Sequence, residues 1–522
     1  MLASLPILTA CAICVGTYLL FFRRHARRAT HSLPPGPRPL PIVGNLFDMP
    51  RARVWETFLQ WKELYGDVVY LNVLGRHIVF LNSVKATTEL LEKRGTLYSD
   101  RPQFPLINLA GHQWNFGFMP YGKEWQSLRR TFSSQYNSAV ALRSFYDAHR
   151  ASVSTFLVNV LHEPKEVANH LRLRSAQVMF HVNYGISVTS WDHPLVRNAE
   201  RVMEVVSIAL SPSMWILNPI SFLNAIPRWL GGAAVASMVD KWQADVRELR
   251  YEAFAQVKES VENGTAKSSF TANLLREPVD EDVVADGDNN VAEKEKDKER
   301  LIRDTAAIAL GAAYETTFVA SEVFLLMMAL HPTIQLAAQS EIDSVLGGTH
   351  RLPDFSDRER LPCITAVMKE CLRFHSPAPT GIPHELAQDD VFEGMWLPKG
   401  CMVMGNIWQL LHDPEMYPDP FTFNPGRFID NEGKLDCTTN DPSRFAFGFG
   451  RRGCPGRLFT EDSLWLMTAQ FLAAFTISLV DGAPREARFA PGAISRPLPF
   501  EHIIKPRSLA AQNLIEHLQD AA

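Results

Sequence analysis

The chain has 522 residues, enough for one very large domain or for about three of ordinary size. Hydrophobic residues make up 46% and charged residues 21% of it, which is typical of a globular and not of a disordered protein. The formal net charge of -5 argues against a general nucleic-acid binder, so we expect no nucleic acid partner. The odd cysteine count of 7 argues against a disulfide framework and favours a reducing compartment.

The N-terminus predicts a transmembrane anchor over residues 1–22. Leu2 to Phe22 carry no charge, and at ~1.5 Å per residue they extend about 31 Å, close to the ~30 Å of a bilayer core. Residues 23–45 hold a basic stop and a proline-rich hinge, and the positive-inside bias places the rest of the chain in the cytosol. A secreted protein with an overlong signal is the alternative, which a glycan on Asn263 would favour.

Two runs of β-branched and aromatic residues follow the hinge. VVYLNV (Val68–Val73) and HIVFLN (His77–Asn82), joined by a short turn at 74–76, predict a β-hairpin. Most of the remaining chain has helical periodicity. The charged segment 280–300 is typical of a solvated loop that runs into a helix start, and 301–330 predicts a helix of roughly 45 Å.

The chain after the hinge has no visible internal repeat and no Gly/Ser linker. We therefore interpret residues 46–522 as one catalytic domain. An apolar stretch at 214–223 is a candidate for contact with the membrane.

The stretch FGFGRRGCPG at 447–456 surrounds Cys454 with glycines and arginines. A thiolate is the ligand that a haem iron takes when oxygen is cleaved and not carried. Glycines let backbone N–H groups approach the sulfur, and the segment from Leu458 predicts a helix whose N-terminal dipole stabilises negative charge. Arg452 can pair with a carboxylate at the rim of a macrocycle. A buried cysteine in a glycine-rich turn is the structural alternative.

Two pairs of residues, each one helical turn apart, precede this loop. Glu370 and Arg373 can form an ion pair, with Arg427 following later as a partner, although a surface pair of little energetic value is the alternative. Trp125 and Arg129 can both reach one anionic group. An amphipathic surface helix is the alternative for this second pair.

An acid and hydroxyl groups interrupt the apolar run in the middle of the long predicted helix. A buried carboxylate is costly unless it is used or paired, which makes Glu315 a candidate functional residue. A hydrogen bond from Thr316 back to the Ala312 carbonyl is the structural alternative for the hydroxyl. At ~100° per residue, Ala313 lies on the Thr316 side of the helix, whereas Tyr314 is predicted to pack behind it.

The Cys454 loop resembles the haem-binding loop of the cytochrome P450 family. The matching residues are Phe447, Gly450, Arg452, Cys454, Pro455 and Gly456. The other motifs stand in the family's order, and the resemblance covers essentially the whole chain, with the features of a fungal microsomal, membrane-anchored member. It implies the cytochrome P450 fold, mainly α with small β-sheets, preceded by one N-terminal transmembrane helix.

The resemblance also implies a site. The cofactor is haem b, with Cys454 as the axial thiolate ligand of its iron, and Thr316 and Glu315 are the catalytic residues. The implied haem contacts are Trp125, Arg129, His384, Phe447, Arg452 and Gly456, with a plain structural role as the alternative for His384. The implied structural network behind the haem consists of Glu370, Arg373 and Arg427.

The implied reaction inserts one oxygen atom from O2 into a small lipophilic substrate, such as a terpenoid, steroid, polycyclic aromatic or other secondary metabolite or xenobiotic. NADPH supplies electrons through a separate cytochrome P450 reductase, with cytochrome b5 as an optional partner. The expected location is the endoplasmic reticulum membrane, single-pass, with a cytosolic catalytic domain. A haem-thiolate isomerase or dehydratase that acts on peroxides without a reductase is the alternative function, and a haem sensor or carrier is a further one.

The stretch 103–120 is rich in apolar aromatic residues, which predicts a lipophilic ligand. The expected substrate contacts are Phe104, Trp114, Phe116, Phe118 and Ala312. Packing in the core is the alternative for each aromatic residue.

Overall fold

The computed structural model of the chain describes residues 31–50, 54–211, 232–278, 291–348 and 351–520. These residues form a mainly helical fold with three small sheets, as expected. The predicted anchor at 1–22 and the apolar stretch at 214–223 lie outside the described residues.

The helices α1 to α17 are, in chain order, Val54–Tyr65, Val84–Thr87, Pro105–Leu109, Lys123–Tyr136, Ala139–Ser144, Tyr146–His162, Val167–Tyr184, Pro194–Leu210, Gly232–Glu262, Phe270–Arg276, Val291–Leu330, Pro332–Leu346, Pro362–Phe374, Ile407–Leu411, Ser443–Ala446, Arg457–Ala474 and Leu509–Asp520. The strands β1 to β8 are Val68–Val73, Arg76–Leu81, His384–Glu385, Asp390–Phe392, Met395–Leu397, Met402–Gly405, Phe475–Leu479 and His502–Pro506. A π-helical turn at Thr88–Lys93 follows α2.

The predicted hairpin is confirmed. β1 and β2 pair antiparallel, and the residues between them, Leu74 and Gly75, have positive φ angles of 51° and 85°. Turns with two positive φ angles match the right-handed twist of the flanking strands. β2 also pairs in parallel with β6, and β6 pairs with β3, so the sheet carries His384 on its edge strand.

The described part of the proline-rich hinge is bound to the domain. The Tyr70 N–H donates to the Pro35 carbonyl oxygen, and the Trp396 N–H donates to that of Ser32, both over 2.8 Å. A Cβ on Gly36 would lie 1.9 Å from the Tyr70 carbonyl oxygen, so glycine is required where the hinge crosses β1. The hinge is therefore attached to β1 and β5 and is not a free spacer.

The long helix α11 begins earlier than the sequence indicated. The predicted range was 301–330, whereas α11 runs over Val291–Leu330, so its charged first part is helical and not a loop. Glu, Lys and Ala are strong helix formers, and an ion pair of 2.8 Å between Glu299 and Lys258 fixes this part on α9. The end of the helix is as predicted.

Helix α11 lies in the core of the domain. It is the one helix in the described ranges that is long and apolar enough to cross a bilayer, but 72% of its most apolar window is buried in the protein. It packs against α4, α7, α8, α13 and α16. The helix that follows the Cys454 loop, α16, is therefore one of the direct neighbours of α11.

A buried ionic network joins α13 to the chain that precedes the Cys454 loop. Arg373 donates to both carboxylate oxygens of Glu370 over 2.7 and 2.8 Å, and Arg427 Nε lies 3.2 Å from the same carboxylate. Arg373 also donates to the carbonyl oxygens of Leu411 and Pro420. One buried carboxylate thus organises three segments of the chain behind the loop, and the network is not a surface pair.

We expect Glu370→Gln to lower the free energy of unfolding by ~3–5 kcal/mol, because it leaves two buried guanidinium groups without their counter-charge. The matched control is Glu432→Gln, which removes a partner of Lys434 in a pair whose side chains are 74% and 73% exposed. That change should cost less than ~1 kcal/mol. Urea unfolding of both variants measures the difference, and equal small effects would contradict a structural role for the network.

Candidate active site

The Cys454 loop requires glycine at position 450 for two reasons. Gly450 has a φ of +52°, and a Cβ at this position would lie 2.1 Å from the carbonyl oxygen of Leu91 in the π-helical turn. Beyond it, the Cys454 N–H donates to the Phe447 carbonyl oxygen over 2.7 Å and closes the loop. The cysteine is therefore fixed by backbone contacts that no side chain at position 450 would permit.

The sulfur of Cys454 borders an internal space. The side chain keeps accessible surface although protein atoms surround it closely enough to raise the pKa of its thiol, an arrangement that fits a concave site. The Gly456 N–H and the guanidinium groups of Arg129 and Arg457 act in the opposite direction and favour the thiolate. Helix α16 starts here, as predicted, with Gly456 as its N-cap, and its dipole also favours negative charge.

Three arginines, Arg101, Arg129 and Arg452, form a group beside this loop that we call the cation cluster, and His384 lies next to them. Burial lowers the pKa of Arg101 well below its usual range and that of Arg452 to about 10, and repulsion from neighbouring arginines adds to both effects. Asp100 is the carboxylate that opposes them. Buried charges of one sign are costly unless an opposite charge joins them, so the cluster fits an anionic ligand.

Sequence analysis missed Arg101. Its guanidinium donates to the carbonyl oxygens of Gly117, Ile382 and Pro383 over 3.0, 2.9 and 2.6 Å, and the residue is buried. The fold brings it next to Arg452 from a distant part of the chain. The sequence offers one signal for it, because Arg101 stands just before the apolar stretch 103–120. A charged side chain is costly to bury beside apolar residues unless it has a partner.

Helix α4 delivers Trp125 and Arg129 to the cluster. The Trp125 indole is buried, and its Nε1 has no hydrogen-bond partner among the residues that the structure describes. Arg129 donates to the Gly453 carbonyl oxygen over 2.7 Å. Because buried N–H groups are nearly always paired, the free indole N–H indicates an acceptor that belongs beside it.

Arg452 is held in place by the backbone. Its guanidinium lies 4.7 Å from the centre of the Trp125 ring. It donates, over 2.7 to 2.9 Å, to the carbonyl oxygens of Ser99, Phe116 and Met119. Three of the five guanidinium N–H groups are used in this way, which leaves two that could donate to a carboxylate. The contact of Arg452 with a carboxylate stays a prediction.

His384, which lies on β3, has a structural hydrogen-bond partner outside that strand. Its Nδ1 lies 2.7 Å from the Tyr98 carbonyl oxygen, and burial lowers the pKa of the ring to about 3. Nδ1 therefore carries the proton, which leaves only a lone pair at Nε2 of the neutral ring. A contact between His384 and a carboxylate requires that the ring bind a second proton, which a nearby anion would favour.

The middle of α11 opens to a groove. Ala312 is exposed and Thr316 is half-buried, although most of the helix around them is buried. The Thr316 hydroxyl donates to the Ala312 carbonyl oxygen over 2.8 Å, which is the structural alternative that the sequence left open. Its oxygen keeps lone pairs that can still accept a hydrogen bond from the groove. Tyr314 is buried in an apolar cluster behind the helix, which confirms its predicted position.

Glu315, next to this hydroxyl, lies in a partly buried charged environment. Burial raises the pKa of its carboxyl, while Arg172 of α7 and Arg496 oppose that shift. The Arg172 guanidinium also pairs with Glu200 of α8. Glu315 therefore holds its proton at a higher pH than an exposed glutamate, which suits a proton donor.

Three of the predicted substrate contacts are core residues. Phe104, Trp114 and Phe116 are buried in apolar clusters, and the Phe116 ring packs edge to face against Phe132 with 5.9 Å between the ring centres. This is the packing role that the sequence left open. Of the predicted set, Phe118 is half-buried and Ala312 exposed, so these two keep surface that a ligand can contact.

The family model of cytochrome P450 matches residues 34–504. The chain belongs to the cytochrome P450 family. It is 36% identical over 520 residues to cytochrome P450 monooxygenase 208 of Postia placenta, with 98% of each chain covered. It is 34% identical over 515 residues to cytochrome P450 monooxygenase COX2 of Coprinopsis cinerea, with coverage of 97% of this chain and 95% of the relative.

A further relative is cytochrome P450 monooxygenase ppsD of Aspergillus oryzae, at 33% identity over 518 residues, with 98% of this chain and 96% of the relative covered. The matched proteins are fungal and carry the name of monooxygenases. The chain is accordingly a cytochrome P450 monooxygenase by family and by its relatives.

The site fits the haem of a cytochrome P450. Cys454 offers a thiol that borders an internal space and is surrounded by groups that favour its ionised form. The cation cluster and the unpaired Trp125 N–H match the negative charge and the acceptor oxygens of carboxylate groups on a haem. The residues on α11 that would face the ligand are small or hydroxylated.

We expect Gly450→Ala to destabilise the protein by ~3 kcal/mol or more and to reduce its haem content, because the methyl group would collide with the Leu91 backbone. The matched control is Gly433→Ala. Gly433 has a φ of +77° but nothing within 4 Å of a Cβ, so the change should cost only the ~1–2 kcal/mol of a left-handed conformation. Urea unfolding and haem absorbance measure both effects. Equal losses in the two variants would disprove the steric requirement at position 450.

Proposed function

We propose that this cytochrome P450 monooxygenase inserts one oxygen atom from O2 into a small lipophilic substrate. Its electrons come from NADPH through a separate cytochrome P450 reductase, with cytochrome b5 as an optional second partner. The observation that carries the proposal is Cys454, a thiol at an internal space that the Gly456 N–H, Arg129 and Arg457 favour in its ionised form.

The residues that would hold haem b lie on four parts of the chain. Cys454 would bind the iron through its thiolate, α4 would contribute Trp125 and Arg129, and the loop itself would contribute Phe447, Arg452 and Gly456. Arg101, in the segment before α3, would complete the cationic side, and His384 of β3 would lie beside it as a neutral ring. When bound, the haem supplies the iron that activates dioxygen, and a thiolate ligand favours cleavage of the O–O bond.

Thr316 and Glu315 would handle protons on the other side of the groove. The Glu315 carboxyl keeps its proton to a raised pH because it is buried, and so it can release that proton to the oxygen of a neighbouring hydroxyl. Thr316 can turn its hydroxyl away from the Ala312 carbonyl and pass a proton into the groove. Both residues lie on α11, which packs against α16, the helix that begins directly after the Cys454 loop, and this contact supports a groove close to the loop.

The substrate site is proposed to be apolar. The half-buried Phe118 packs in one cluster with Leu106, Met203 and Ile382, and all of these side chains retain some accessible surface. Apolar walls with few polar groups favour terpenoid, steroid or polycyclic aromatic compounds. Ala312 in the groove leaves room for such a molecule near the reacting atoms.

The proposed location is the endoplasmic reticulum membrane, with a single span at 1–22 and the catalytic domain in the cytosol. Three exposed apolar residues at the end of the hinge and just beyond it support a membrane contact. They are Leu40, Ile42 and Phe47, with 52%, 59% and 73% of their surface exposed. Their place in the chain, close behind the predicted span, is where a domain attached to a bilayer would meet it.

The first test is the carbon monoxide difference spectrum of the reduced protein in membranes. We expect a far red-shifted Soret band that disappears in Cys454→Ala, because only a thiolate ligand produces this shift. Product formation that needs both NADPH and the reductase would then support the monooxygenase. Conversion of peroxides without NADPH would instead favour the isomerase or dehydratase, and a band at the position of histidine ligation would refute both.

The role of the Thr316 hydroxyl has a separate test. We expect Thr316→Ala to bind haem normally but to yield several-fold less product per NADPH consumed, with more hydrogen peroxide, since proton delivery is impaired. Thr316→Ser keeps the hydroxyl and should restore most of the coupling. If the serine variant is as uncoupled as the alanine variant, the hydroxyl is not the functional group.

A further inference from the structure

Helix α11 carries a second partly buried acid, Glu322, which the proposed chemistry has not used. Its Oε2 is buried and has no hydrogen-bond partner within the described part of the chain. An unpaired buried carboxyl oxygen is costly, and water or a function normally accounts for it. Glu322 therefore needs an explanation beyond packing.

Glu322 lies on the same face of α11 as Glu315. A separation of seven residues at ~100° each brings the second side chain to within about 20° of the first, about 10.5 Å further along the axis. All side chains of a helix lean toward its N-terminus by a similar amount, so this lean does not shorten the separation, and a proton would cross it along a chain of more than one water. The two acids are thus successive polar groups on one stripe of the helix.

The same charged groups surround both acids. Burial raises the pKa of Glu322 to about 7, opposed first by Arg496 and then by Arg172, while Glu315 raises it further. Arg496 belongs to the segment before β8 and is exposed, Arg172 belongs to α7, and Glu315 is on the same helix. The same two arginines act on Glu315, whose pKa Glu200 and Glu204 of α8 also raise. The acids thus share one charged environment, which includes an exposed cation.

We propose that Glu322 is the second carboxyl of a proton path, which takes protons from water near Arg496 and passes them to Glu315. This inference rests on the proposed function of Glu315 and extends it toward solvent. The step is balanced: the Glu322 O–H bond breaks, its proton moves along a chain of waters to the Glu315 carboxylate, and a proton from bulk water then restores the Glu322 O–H bond. Glu322 acts through Glu315 and is a positioning residue for the proton.

The first experiment needs no turnover. In the infrared spectrum of the holoenzyme, the C=O stretch of protonated carboxylic acids should lose one component in Glu322→Gln near neutral pH, while the components of other buried acids such as Glu315 remain. The component lost in Glu322→Gln should persist in Glu204→Gln, a control that removes an exposed acid which acts on the same Glu315. If the Glu322→Gln and wild-type spectra are identical from pH 5 to pH 8, Glu322 holds no proton in this range and the proposal fails.

Thermal stability gives an independent readout with a defined sign. The Glu322 pKa is raised from 4.5 to about 7 in the folded protein, so the unfolded chain releases this proton at a lower pH than the folded one. The wild type should therefore lose Tm relative to Glu322→Gln as the pH rises through this window, with the full loss reached by about pH 8. A Tm difference that does not change with pH would contradict a proton on Glu322.

Turnover then tests the path itself. In Glu322→Gln we expect the rate of product formation to fall roughly 10-fold, which is less than the ~10²–10⁴-fold that a direct general acid contributes. We also expect a larger solvent deuterium isotope effect and an altered pH profile of the rate. Glu322→Leu, which also lacks the proton but fills the space, should behave in the same way. A loss of rate with an unchanged pH profile and isotope effect would indicate a structural role and overturn the proposal.

The proposed monooxygenase function and the proposed proton path through Glu322 can fail separately. If the wild type lacks the red-shifted carbon monoxide band, the proposed function fails, whatever Glu322 does. If that band is present in the wild type and in Glu322→Gln, but Glu204→Gln changes the isotope effect as much as Glu322→Gln does, the effect is general electrostatics. In that case only the proton path is refuted.

Discussion

The structure depends on one constraint: a sulfur atom that must be dry and still able to ionise. Burial alone makes the Cys454 thiol a weaker acid, and a neutral thiol is a poor ligand for iron. Fixed dipoles and charges around the sulfur favour its ionised form. They are the Gly456 N–H, the start of α16 and the guanidinium groups of Arg129 and Arg457. These groups are bound to rigid elements, so they do not reorganise as solvent would.

That rigidity comes from contacts far from the sulfur. Gly450 lets the loop touch the backbone at Leu91. This contact joins the loop to the π-helical turn at Thr88–Lys93. On the other side, the Glu370 carboxylate holds two arginines and through them the segment that leads into the loop. A buried carboxylate with two guanidinium partners is costly to assemble and strongly specific in geometry once formed. The loop is therefore held from both ends.

The sequence predicted the features that depend on local patterns. The hairpin, the end of α11, the start of α16 and the position of Tyr314 behind the helix all follow from periodicity, turn residues or the helical wheel. It could not predict features that depend on which distant segments meet. Three features are of this second kind. Arg101 lies beside Arg452, and Phe116 is buried against Phe132. The first part of α11 is helical where Glu299 pairs with Lys258.

The attachment of the hinge has a mechanical consequence. Ser32 and Pro35 are hydrogen-bonded to two different sheets, and Gly36 permits the close crossing between them. The chain therefore leaves the domain at a fixed point and in a fixed direction. A force applied to the chain at Ser32 is therefore passed to two sheets at once, and it turns the domain as a whole before it can pull the hinge segment away from β1.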